Sequence, residues 1–199
     1  MSKKLQDVLQ DYQNTLAEHV TSGDKLLQAH ALADIAFTYA QMENKDEALA
    51  HYDQAITLYR ELGEREGESL VLNNMGKLYV NTGDREKGLS LYEQALQIRK
   101  ETGDKAGQAT TLNNIGGMYA LKGGDKRKAL AYFEEALPLS VELDDKAGQA
   151  ITLANIAASY KAIGEARRAA SIAKKLRDLE KQIRDEQKLA KKAQKLADS

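Results

Sequence analysis

The chain has 199 residues, 42% of them hydrophobic and 30% charged, with one proline and no cysteine. Such a chain is too apolar to be disordered, is long enough to bury one domain's core or one array of repeats, and has neither a disulfide framework nor a thiolate metal site. Its net charge of −1 conceals an asymmetry, because residues 165–199 carry 11 Lys and Arg against 6 Asp and Glu while residues 1–164 carry 18 against 24.

The opening "MSKKLQDVLQ" turns polar at once, without the apolar core of a secretory signal, and no later run approaches the roughly 18 apolar residues of a membrane span. A soluble, mostly helical, cytoplasmic protein with no membrane partner is expected. Sliding residues 4–23 onto 84–103 places Leu9 on Leu89, Tyr12 on Tyr92 and Leu16 on Leu96. Residues 3–22 therefore read as a lone helix that covers the exposed face of the first full unit.

From residue 24 the chain repeats itself. Aligning Gly23-Asp24, Gly63-Glu64 and Gly103-Asp104 with Asp144-Asp145 gives spacings of 40, 40 and 41, the extra residue falling in "GGD" at 123–125. Each unit splits into two segments with apolar residues recurring at three and four, roughly 24–42 and 45–62 in the first. The polar breaks "MENKDE", "NTGDRE", "KGGDKR" and "AIGEAR" carry Gly or Asn to end one helix and, in most units, Asp to cap the next. The units are 24–63, 64–103 and 104–144, then a first helix over 145–164 and a long, basic, glycine-free helix over 165–197.

Two positions explain why poor helix formers recur inside these helices. In the first helix Ala36, Gly76, Gly116 and Ala157 each precede a tyrosine by three: Tyr39, Tyr79, Tyr119 and Tyr160. In the second, Ala48, Gly88, Ala129 and Ala169 stand four before Tyr52, Tyr92, Phe133 and Ala173. Small residues let two helix backbones approach where they cross, and an aromatic one turn away fills the space beside them.

This pattern over residues 24–164 resembles the tetratricopeptide repeat. Leucines at 32, 72, 112 and 153 replace the family's tryptophan, its closing proline is missing, and with "LNN" and the longer period the chain resembles the class found in kinesin light chains, Pins-type polarity adaptors and bacterial arrays. The resemblance implies an all-α, right-handed α-solenoid of helix pairs, with first helices lining a concave groove. It also implies a non-enzymatic scaffold that binds a protein or peptide.

In that register the position three before the small residue, Ala33, Asn73, Asn113 and Ala154, is expected to face the groove. Asp34, Asn74, Asn114 and Asn155 stand one residue further along. An asparagine offers both a donor and an acceptor, so a ladder of them can hold the backbone of an extended peptide. The resemblance assigns this role to Asn73, Asn74, Asn113 and Asn114. The competing reading is that the second asparagine bonds the next repeat and only holds curvature. Phe37, Lys77, Asn81 and Leu121 should share the wall, and Ala154, Ala158 and Ala162 leave the last unit bland.

Catalysis lacks a candidate. His19, His30 and His51 fall on three predicted helices with no recurring acidic neighbour at ligand spacing, and "GGDKRK" is a turn without the spacing of a phosphate loop. No cofactor or metal is expected. Two other functions compete with the scaffold. One is self-assembly, with the C-terminal helix pairing with its copy or filling a neighbour's groove. The other is nucleic-acid binding by that helix, against which stands the mixing of Lys174, Lys175, Arg177, Lys181, Arg184 and Lys188 with Asp178, Glu180, Asp185 and Glu186. The stripe Ile172, Leu176, Leu179, Ile183 weakens after Gln187, so the helix should pack to about residue 183 and then project.

Overall fold

The computed structural model describes residues 3–197, with side-chain environments through residue 193. The described residues form helices α1 (Lys3–Ser22), α2 (Lys25–Gln41), α3 (Lys45–Leu62), α4 (Arg65–Asn81), α5 (Arg85–Thr102), α6 (Lys105–Ala120), α7 (Lys126–Glu142), α8 (Lys146–Ala162) and α9 (Ala166–Ala197). The architecture is an all-α solenoid of helix pairs. None of these helices is long and apolar enough to cross a membrane.

Capping explains most boundaries. Asp24, Asn44, Asp84, Asp125 and Asp145 each accept backbone N–H bonds at a helix start, satisfying donors that the first turn leaves unpaired. Asn44, rather than an aspartate, does this for α3. Glu64 stands before α4 without a side-chain cap bond.

The helices fall into two compact units, Met1–Asp104 and Lys105–Ser199. In unit 1, α1 packs on α2, and the pairs α2–α3 and α4–α5 come next in order. Its core joins Leu32, Tyr52, Tyr59, Val71, Leu72, Met75 and Ile98. No residue of α1 is buried; Leu16 packs against the core edge. The glycines sit where the backbones cross: a Cβ on Gly76 would lie 3.0 Å from the Gly88 carbonyl oxygen and 2.9 Å from the Tyr92 ring. The ring covering the gap thus comes from the second helix, not from the tyrosine on the glycine's own helix.

Unit 2 holds α6–α7 and α8–α9 around Ala129, Phe133, Ile156 and Tyr160. The Phe133 ring lies over Gly116 as Tyr92 does over Gly76. On α9, Ile172, Leu176, Leu179 and Ile183 are partly buried, and Lys146 of α8 holds Glu186 at 2.6 Å. Every described side chain from Gln187 onward is exposed.

Candidate functional site

Successive first helices touch, α2 with α4 in unit 1 and α6 with α8 in unit 2, and a cleft opens along each contact. The unit 1 cleft has a volume of 210 Å³ and is lined by Phe37, Ala40 and Gln41 of α2 and Asn74, Lys77, Leu78 and Asn81 of α4, with Tyr52 behind them. Phe37 is 45% exposed. Lys77 brings a positive charge to this lining, and burial pushes the Tyr52 hydroxyl well above the ordinary tyrosine range.

The unit 2 cleft, 360 Å³, is lined by Thr110, Asn113 and Asn114 of α6, Ile151 of α8, and Leu143 and Asp145 between α7 and α8. Its carboxylate is already engaged, since Asp145 accepts from the Gly148 N–H at 2.9 Å. The exposed Ile151 and Leu143 make this cleft more apolar than that of unit 1.

The two "LNN" pairs are placed differently: Asn74 alone of its pair lines the unit 1 cleft, whereas Asn113 and Asn114 both line that of unit 2. Asn73 is only 5% exposed and is not among the residues lining the unit 1 cleft. Asn113 is half-buried; its Nδ2 donates to Thr152 Oγ1 at 2.8 Å and to the Ala109 carbonyl at 3.1 Å. The reason lies in the seam between first helices. Ala33 at this register is buried in the unit 1 core and Asn113 bonds across to α8, while Ala154, on the last first helix, is exposed. One residue further, about 100° around the helix, the side chains of Asn74, Asn114 and Asn155 are half-exposed. Asn74 Oδ1 meets Asn73 Nδ2 at 3.5 Å, a weak contact at the limit of a hydrogen bond.

Lys77 and Asn81 are exposed in the unit 1 cleft beside Phe37, and Leu121 is exposed at the end of α6. Ala154, Ala158 and Ala162 are all exposed on α8. The ring of His30 lies 5.7 Å from Tyr59 and that of His51 5.3 Å from Tyr39, so both pack on aromatics. Among the described residues no group of three His, Cys, Asp or Glu could hold a metal ion.

A recurring contact lies outside what the sequence pattern led one to expect. Lys87 stands 4.3 Å from the Tyr79 ring, Lys128 5.5 Å from Tyr119, and Arg168 5.7 Å from Tyr160. A cation eight or nine residues after each first-helix tyrosine was the available signal; the first unit has Glu47 there, and His51 covers its ring instead. These contacts hold the turn between paired helices through the ring face.

The tetratricopeptide repeat family matches residues 68–142 and again residues 28–62. The chain belongs to that family. Among solved structures it is similar to BtubC (BKLC) from P. vanneervenii, with a TM-score of 0.79 at 22% identity over 92% of this chain and 75% of that one. A putative kinesin light chain of Podosopora anserina, with nearly identical TPR-like repeats, gives 0.70 at 14% identity, covering 91% and 89%. A signal transduction ATPase with a tetratricopeptide repeat sensor from Pyrococcus horikoshii gives 0.71 at 18%, covering 83% of this chain and 26% of that one. At these identities the likeness is one of fold. No curated protein matches the chain.

Proposed function

We propose that this tetratricopeptide array is a non-enzymatic scaffold that holds an extended peptide, or one face of a partner helix, in the clefts between its first helices. Such repeats generally mediate protein–protein interaction. The observation that carries the finer reading is the unit 1 cleft, where the half-exposed Phe37 lies beside Lys77 and the amides of Asn74 and Asn81. An aromatic anchor supplies apolar contact, and side-chain amides pair with peptide backbone without selecting its side chains. Asn114 brings an amide to the unit 2 cleft, where Asn113 is already committed to Thr152 and the Ala109 carbonyl. Asn73 has no part in this reading, because its side chain is buried.

The test is capture of partners on the intact chain, followed by peptide mapping and affinity measurement. Replacing Phe37 and Asn74 together by alanine should weaken the mapped peptide at least tenfold, the size of a modest hot spot, with little change in the melting temperature. Unchanged affinity in a normally folded double variant would move the site elsewhere.

A further inference from the structure

The end of α9 has no partner within the described residues. α9 is 32 residues long, about 48 Å, against 17 residues, about 25 Å, for its packing partner α8. Its last tie to the array is the Lys146–Glu186 ion pair. Beyond that, Lys188, Lys191 and Lys192 fall on one side of the helix, and Leu189, 67% exposed, falls on the other with Ala190 and Ala193. In the sequence Lys195 and Leu196 repeat Lys188 and Leu189 seven residues on, and residues 187–197 hold four lysines and no acid. This is a basic, amphipathic helix end with an unused apolar face.

The complementary surface is in unit 1. Residues 1–104 carry 11 Lys and Arg against 18 Asp and Glu, a net of −7, whereas residues 105–199 carry 18 against 12, a net of +6. Between α1 and α3 runs a 480 Å³ groove whose floor and walls include Leu16, Val20, Leu32 and Leu58, with Asp53 beside them. Val20 is 59% exposed there. Two similar grooves fit less well. The one at α4 and α5 is walled by Arg65, Glu93, Gln94 and Gln97, and its apolar residues, Leu72 and Ile98, are buried, so it presents no exposed apolar side chain like Val20. The one at α7, α8 and α9 is apolar, yet it lies in the half of the chain that shares the lysines' sign.

We propose that the α9 end of one copy docks in the α1–α3 groove of a second copy, a head-to-tail contact between the basic half of one chain and the acidic half of the next. The apolar face of α9 covers Leu16 and Val20 while its lysines meet the acidic surround. Pairing two α9 ends with each other would instead face four lysines against four, which Coulomb repulsion opposes. Because donor and acceptor surfaces differ, the contact is heterologous and propagates into short chains unless it closes on itself.

Sedimentation of the intact chain against concentration tests this. The mean mass should rise with concentration at about 50 mM salt and fall back toward monomer near 0.5 M, where charge attraction is screened. Replacing Lys188, Lys191 and Lys192 by glutamate, or Val20 by glutamate, should each weaken association at least tenfold; all four positions are exposed, so both variants should fold. Mixed one to one, the two variants should form dimers and nothing larger, since each keeps one competent surface. A mass independent of concentration would overturn the proposal. So would association that survives Val20→Glu, which would assign the contact to α9 pairing with itself.

Discussion

The amide of Asn113 on α6 donates to the Thr152 hydroxyl on α8 at 2.8 Å, and that hydroxyl sits 2.8 Å from the Gly148 carbonyl. At the same register two repeats earlier, between α2 and α4, the residues are Ala33 and Val71, both buried and apolar. A polar pair and an apolar pair are thus interchangeable solutions to one seam. Asn113→Ala or Thr152→Val alone should cost about 1–2 kcal/mol, because each strands its partner. The double variant should cost less than the sum of the two, with a coupling of at least about 0.5 kcal/mol in denaturant melts. Strict additivity would show that the bond contributes nothing.

Gly116 and Gly117 are neighbours with opposite environments. A Cβ on Gly116 would come within 2.6 Å of the Phe133 ring, whereas one on Gly117 would meet nothing within 4 Å. Gly116→Leu should destabilise by about 1–3 kcal/mol or more through overpacking. Gly117→Ala should be neutral or gain up to about 1 kcal/mol of helix propensity. Thermal melts compare them directly, and equal losses would contradict the crossing geometry.

Two turns carry the wrong residue for their backbone. Glu43 and Asp144 adopt left-handed φ angles of 59° and 50° where the corresponding turns use Gly83 and Gly164, and Gly23, Gly63 and Gly103. A side chain there costs about 1 kcal/mol, less for aspartate than for glutamate. Glu43→Gly should therefore raise the melting temperature by about 2–4 °C, and Asp144→Gly by less. A lowered melting temperature for Glu43→Gly would mean its side chain has a stabilising contact that outweighs the strain.

Alkaline pH should loosen unit 1. Burial pushes the Tyr59 hydroxyl up to about 12, and raises those of Tyr52 and Tyr92 still further; nearby Asp34 adds to the shift at Tyr52 and Tyr59. The folded state therefore keeps these protons longer than the unfolded chain does. The stability they contribute is complete below about pH 10, the ordinary tyrosine value, and declines as pH rises above it. Helix content and tyrosine ionisation, tracked by circular dichroism and absorbance, should change together above that pH. Tyr92→Phe should move the transition upward, as unit 2 already has Phe133 at the equivalent position. Tyrosine titration that is complete near pH 10 with the helices intact would count against it.

The repeat length, the helix pairs and the small residues at the crossings were legible in the sequence because each is local and periodic. A glycine that must lie against another backbone recurs every 40 residues, and an aspartate that caps a helix does so wherever that helix starts. The alignment of Leu16 with Leu96 and the fading stripe after Ile183 are local patterns of the same kind; Leu16 packs at the core edge, and the described side chains of α9 from Gln187 onward are exposed.

The roles of the two asparagines were decided only in the folded chain. Adjacent residues of one type differ by a turn of about 100° on the helix, and nothing in "LNN" says which of them meets the next first helix. That choice depends on how closely α6 and α8 approach, a distance set by Gly116, Phe133 and the packing of the second helices. Which ring covers each glycine, and which cation covers each tyrosine, depend likewise on contacts between residues on different helices. Charge distribution divides along the same line. The acidic and basic halves can be counted from residues, whereas the exposure of Val20 and Leu189 exists only once α1 and α9 have used their other faces for packing.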